Sequence, residues 1–236
     1  MGTDFTSIED QVHAWQWPPI PPGDGSAPVP GGAPLPRGET FLAGVEFQPS
    51  YHPTWMPYFG DTVRHLHAVG ANWAVLSPTW SFVQVNPLDF QVIPSEDMPW
   101  LDLWTAVHQA KEQTLHVALF PSPQFGEDVD LWWESAPRDI VWWLDWFDSY
   151  KAFALHHASF AQKNNVEMLV LGGDWINPAL PHGYMADGFS SNVPGYAEER
   201  WREILTEVRA QYGGKLAWAM PYPQGIQNPP PVFWIW

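Results

Sequence analysis

From residue 39 onward, short runs of branched and aromatic residues alternate with longer amphipathic stretches, which predicts β/α units around a parallel sheet. The strand candidates are residues 41–47, 72–78, 115–120, 167–174 and 215–220. Helices are expected at about 61–69, 99–113, 142–163 and 197–212. Gly70, Asn164-Asn165 and Gly213-Gly214 follow the first, third and fourth of them, and such residues accept the left-handed conformation that closes a helix. The loops after the strands are longer than those before them. Five such units fit an α/β fold of the (β/α)8 TIM-barrel type better than a doubly wound sheet, and no glycine-rich phosphate fingerprint follows the first strand. Residues 39–236 number 236 − 38 = 198, whereas eight units take about 250, so the barrel is expected to be incomplete. The run Pro229-Pro230-Pro231-Val232-Phe233-Trp234-Ile235-Trp236 reads as entry into a sixth strand. An apolar end and an open sheet edge are both liabilities, so the expectation is an incomplete chain or one completed by another polypeptide.

Residues 1–38 break the pattern. Trp17-Pro18-Pro19-Ile20-Pro21-Pro22-Gly23, followed by Pro28, Pro30, Gly31, Gly32, Pro34 and Pro36, permits neither a helix nor a central strand. Two parts are therefore expected: a Pro/Gly-rich linker or arm over 1–38 and a partial barrel over 39–236.

Composition narrows the chemistry. With no cysteine there is no disulfide framework, thiolate nucleophile or cysteine-ligated metal. The balance of 10 Lys+Arg against 26 Asp+Glu gives a net charge of −16, which argues against nucleic acid as a partner, because that affinity comes from cations on phosphates. No run of about 18 apolar residues offers a membrane span, and the N-terminus lacks the basic-then-apolar signal pattern. Any export signal is expected to lie upstream of Met1, in a larger extracellular or cell-surface protein with further domains. Tryptophan is the unusual residue, with 17 copies in a total of 37 aromatic side chains. Beyond filling a core, flat amphipathic rings suit surfaces that stack on neutral sugars, so an oligo- or polysaccharide is the expected partner.

Reactive groups in a parallel barrel sit at the carboxyl ends of strands and on the loops that follow. Asp174 ends the fourth strand candidate, after Gly172-Gly173 and before Trp175-Ile176-Asn177-Pro178. A carboxylate beside Trp is expected to be partly desolvated, which suits a general acid; loop capping or an arginine pair is the competing role. Strand alternation puts Glu46 on one face with Leu42 and Gly44, and Asp174 on one face with Met168, Val170 and Gly172. If both faces point into the barrel mouth the two carboxylates could share a site, with Glu46 in a supporting part. The segments Pro49-Ser50-Tyr51-His52-Pro53-Thr54-Trp55 and Ser77-Pro78-Thr79-Trp80 bring further rings to the rim. Tyr51, His52, Trp55, Trp80, Glu46, Trp175 and Asn177 are thus the substrate-binding candidates, with Trp55 and Trp80 as stacking platforms, against simple packing between loops. His156 and His157, adjacent on a helix, point about 100° apart and make no metal pair; His65 and His67 fail likewise. Trp142, Trp143, Trp146, Tyr150, Phe153 and His157 recur at helical spacing and are expected to pack on the barrel. Gly-x-Ser-x-Gly and His-Glu-x-x-His are both absent, and neither a cofactor nor a metal is expected.

Four segments, in order, resemble glycoside hydrolase family 113. They are Tyr51-His52-Pro53-Thr54-Trp55, the run from Gly70 through Asn72-Trp73 to Ser77-Pro78-Thr79-Trp80, Trp146-Phe147-Asp148-Ser149-Tyr150, and Val166-Glu167-Met168-Leu169-Val170-Leu171-Gly172-Gly173-Asp174. The resemblance covers residues 41–221 and implies a clan A (β/α)8 barrel that hydrolyses β-1,4-mannan or a related β-glycan with retention. It implies an acid/base glutamate at the end of the fourth strand and a nucleophilic glutamate at the end of the seventh. Here the fourth-strand position is matched by Asp174, and a seventh strand is not found. Phe120-Pro121-Ser122-Pro123 stands where the family implies a histidine. The reading is a mannanase-like glycoside hydrolase. A non-catalytic glycan-binding barrel and an inactive N-terminal fragment of a larger glycosidase are the alternatives.

Overall fold

Each apolar run that alternates with an amphipathic stretch becomes a strand. In chain order the strands are β1 (Gly44–Glu46), β2 (Trp73–Leu76), β3 (Thr79–Gln84), β4 (Asp89–Gln91), β5 (His116–Leu119), β6 (Ser122–Phe125), β7 (Met168–Gly172) and β8 (Lys215–Ala219). The helices are α1 (Met56–Ala68), α2 (Trp100–Glu112), α3 (Val129–Ser135), α4 (Ile140–Lys163) and α5 (Ala197–Gln211). The computed structural model describes residues 42–47 and 50–219. The arm expected at 1–38 and the strand entry at 229–236 lie outside the described residues. Strands β1-β2-β5-β7-β8 form one sheet in that order, every neighbouring pair parallel. This is an incomplete (β/α)8 barrel whose sheet does not close among the described residues. No helix among those residues is long and apolar enough to cross a membrane.

The register sorts side chains between two faces. Glu46 pairs with Val75, Val75 with Ala118, and Ala118 with Met168, so these four point to one side. The other side carries Ala74, Leu76, Val117, Leu119, Leu169 and Leu171, all essentially sealed from solvent. It is the side that the helices cover. α4 supplies most of the seal: Trp142, Trp143, Trp146, Phe147, Tyr150 and Phe153 are buried, and the first three meet Trp132 or Trp133 of α3 edge to face or tilted. The helical spacing read from the sequence is therefore a packing stripe, as expected.

Two stretches expected as loops carry a second sheet, in the order β4-β3-β6. β3 continues the chain just past β2, and β6 just past β5. Leu76 is level with Leu119 and Thr79 with Ser122, so Pro78 and Pro121 fall at the same height in both strands. Proline lacks the N–H a ladder needs, and two at one level end the barrel sheet there. The Pro78 carbonyl still accepts from the Ser122 N–H at 3.0 Å, and the paired strands resume as a separate small sheet. α1 also begins earlier than expected, at Met56, because Pro57 within its first turn holds a helical φ where no N–H is missed.

Candidate functional site

The chain leaving β1 makes a short 3-10 helix, Pro53–Trp55, before α1. Pro53 opens it, and His52 closes its start by accepting the Thr54 N–H on Nδ1 at 3.3 Å, the same nitrogen lying 2.7 Å from the Thr54 hydroxyl. Tyr51, one residue earlier, donates its hydroxyl to a carboxylate oxygen of Asp102 in the first turn of α2. Burial first, and then that carboxylate, push the Tyr51 phenol up to about 12. Between these elements lies a cavity of about 430 Å³, lined in part by Tyr51, Trp55, Tyr58 and Ser77. Trp55 is 53% exposed and Tyr58 70%, so two large rings stand beside it in water. Glu46, exposed at the end of β1, accepts the Ser77 hydroxyl at 3.0 Å, which ties the ends of β1 and β2 beside the same cavity. Tyr58 was not picked out from the sequence. Its signal was its place one turn beyond Trp55, on a helix thought to start later.

Asp174 lies past the end of β7, as the first residue of a 3-10 helix, Asp174–Ala179. Gly172 and Gly173 have φ of 86° and 128°, a region that a side chain disfavours. Neither has space for one: a Cβ on Gly172 would meet the Ala219 carbonyl at 2.6 Å, and one on Gly173 the Trp175 ring at 2.8 Å. This double turn releases the chain from the strand, so Asp174 no longer follows β7's alternation. The expected desolvation does not occur: Asp174 is exposed, although Trp175 and Asn177 beside it are half-buried. Trp175 folds back over Gly173, and its carbonyl accepts the Trp133 indole N–H at 2.8 Å, fixing the turn to the aromatic core.

The register separates the two candidate carboxylates. Glu46 is level with Met168, six residues before Asp174, on a strand three places away. Glu46 and Asp174 thus stand at the ends of strands three places apart in the sheet. Trp80 belongs to β3, where its half-buried ring sits among Phe90, Phe153, His156 and His157 with centroids 5.1–6.1 Å away. Those rings come from β4 and α4, so Trp80 packs on a strand and a helix rather than between two loops. Asp97, which the sequence did not single out, is fully buried and accepts from the Thr79 and Ser81 hydroxyls and the Ile93 N–H; it anchors the second sheet. No cluster of three metal-ligating side chains occurs among the described residues.

The family model of Glycoside Hydrolase Family 113 matches residues 55–227. Among solved structures the chain is similar to a GH113 β-1,4-mannanase in a complex, at 20% identity and a TM-score of 0.59 over 75% of this chain and 55% of that one. A second GH113 β-1,4-mannanase structure gives 21% and 0.56 over 75% and 55%. The GH113 β-mannanase AaManA from Alicyclobacillus acidocaldarius, in complex with ManMIm, gives 20% and 0.53 over 75% and 54%. At these identities the likeness is one of fold, and the chain spans about 55% of the first two relatives' length. No curated protein matches it.

Proposed function

The chain belongs to glycoside hydrolase family 113, and on that premise we propose that it acts on β-1,4-mannan or a related β-linked polysaccharide, with Asp174 as the acid/base. The observation that carries this reading is the place of Asp174. It stands exposed beyond a double-glycine turn at the carboxyl end of β7, the fourth strand of the parallel sheet, where the family resemblance puts the acid/base. In this role its carboxyl group protonates the glycosidic oxygen as the bond to the sugar lengthens toward an oxocarbenium-like transition state, and the carboxylate then takes a proton from the incoming water. The nucleophile that the resemblance assigns to a seventh strand is not among the described residues.

Trp55 and Tyr58 stack on sugar rings in this reading, with Tyr51 at the cavity wall. They belong to the β1 side of the sheet and Asp174 to β7, three strands on, so the ligand is an oligosaccharide long enough to reach across. The described residues that line the cavity include neither Lys nor Arg, in keeping with a neutral glycan. Such polymers are met at or outside the cell surface, which supports an extracellular or surface location.

The test is chain-shortening of β-1,4-mannohexaose by the 236-residue chain beside its Asp174→Asn variant. Loss of turnover with sugar binding retained is expected in the variant; unchanged turnover would remove Asp174 from the chemistry. The second reading is a non-catalytic glycan-binding barrel, favoured by an aspartate where the family places a glutamate. It would be upheld if the unaltered chain bound mannohexaose without cleaving it.

A further inference from the structure

We propose that Asp102 is a positioning residue for the sugar-binding rim: through its hydrogen bond with Tyr51 it holds the segment after β1 so that Trp55 stands beside the cavity. This rests on reading that cavity as a sugar subsite.

The chain of contacts is short. Asp102 belongs to the first turn of α2, where the helix dipole and the free N–H groups favour a carboxylate. It accepts the Tyr51 hydroxyl across 51 residues of sequence. A phenol bound to a carboxylate is a charge-assisted pair, stronger than a neutral one, and the raised Tyr51 value agrees with a hydroxyl kept protonated as the donor. Next along the chain, His52 caps the 3-10 helix through Thr54, and the Trp55 N–H donates to the His52 carbonyl at 3.0 Å. Trp55 is then the residue before α1. Two fixed points thus define the rim, the start of α1 and the Tyr51–Asp102 bond. The residue between Tyr51 and Pro53 is spent on the cap, which leaves little slack. Among the described residues that line the cavity are Tyr51 and Trp55 but not Asp102, so the effect of Asp102 on a ligand passes through Tyr51.

Two measurements on the full 236-residue chain test this. Hydrogen–deuterium exchange of the amides at 51–58 reads the tether without any sugar, and calorimetric titration with mannohexaose reads its consequence. Asp102→Leu, which removes the acceptor, should raise exchange and weaken binding, each about tenfold, the scale of one lost charge-assisted bond. Asp102→Asn keeps an oxygen for Tyr51 to donate to and should stay within about threefold of the unaltered chain on both readouts. Tyr51→Phe deletes the donor instead and should match Asp102→Leu, which keeps the test decisive if the leucine variant does not fold. Unchanged exchange and binding in Tyr51→Phe would overturn the tether. Equal weakening by the Asn and Leu variants would overturn it too, because Asp102 would then touch the sugar itself. Trp55→Ala tests the premise separately. If it leaves mannohexaose affinity unchanged, the sugar reading of the cavity fails, and with it the ligand half of the proposal, while exchange still reports on the Tyr51–Asp102 bond.

Discussion

A carboxyl group one methylene shorter than glutamate reaches less far from the backbone, so what Asp174 can do depends on how the turn beneath it presents its Cα. That turn is Gly172-Gly173, with both residues at positive φ and pressed against the Ala219 carbonyl and the Trp175 ring. Gly173→Ala should cost about 1–3 kcal/mol, the usual toll for a disfavoured backbone conformation, read as a lower denaturation midpoint. It should also reduce turnover by more than its stability loss explains. The acid role proposed for Asp174 makes a sharper prediction. General acid help is worth about 10²–10⁴-fold and matters only when the leaving oxygen needs a proton. Asp174→Ala should therefore slow cleavage of mannohexaose by about 10²-fold or more while largely sparing the first turnover of a dinitrophenyl β-mannoside; equal losses on both substrates would rule out general acid catalysis. Much of this was legible in the residues, because a Gly-Gly-Asp run after an apolar strand marks both the turn and the carboxylate. The exposure of Asp174 was not, since the Trp175 ring that was expected to shield it folds back over Gly173 instead.

Among the elements, α4 bears the greatest part of the aromatic core. Asp139 caps it by accepting the Trp142 N–H at 2.9 Å, and Asp139→Ala should cost about 0.5–2 kcal/mol in chemical denaturation. His157 on the same helix is fully buried, its Nδ1 held 2.9 Å from the Phe153 carbonyl and its ring packed by Trp80, Phe153 and His156. Burial, with the neighbouring His156, lowers its value to about 3. The folded state then keeps His157 neutral where the unfolded chain, at about 6.5, binds a proton. The stability this gives is fully present above about pH 6.5 and is lost as pH falls toward 3, with a slope of up to about 1.4 kcal/mol per pH unit. Melting temperatures from pH 7 to 4 should fall less steeply in His157→Gln than in the unaltered chain. Parallel curves would show that His157 does not set the acid limit. The strands of the larger sheet and the helices were readable because apolar runs alternate there with amphipathic stretches. β3 and β6 were not, because Pro78 and Pro121 read as strand ends, whereas each lies where one sheet gives way to another.

At the scale of the whole molecule, five parallel strands and the helices that cover one of their faces follow from the alternation of apolar and amphipathic stretches, and the sheet order matches chain order. Sequence spacing could not set how far apart two strand-end carboxylates stand, because that depends on register. The row that joins Glu46 to Met168 is a product of strand stagger, and it divides the rim between a ring-bearing side at β1 and an acid at β7. In the proposed reading an oligosaccharide lies across that rim, with cleavage at the Asp174 end and retention of configuration as the family resemblance implies. The most direct test is the proton NMR time course of the reducing ends first released from β-1,4-mannan by the chain. The β anomer should appear first and then mutarotate, as a double displacement requires. Initial release of the α anomer, or no new reducing ends, would contradict the account.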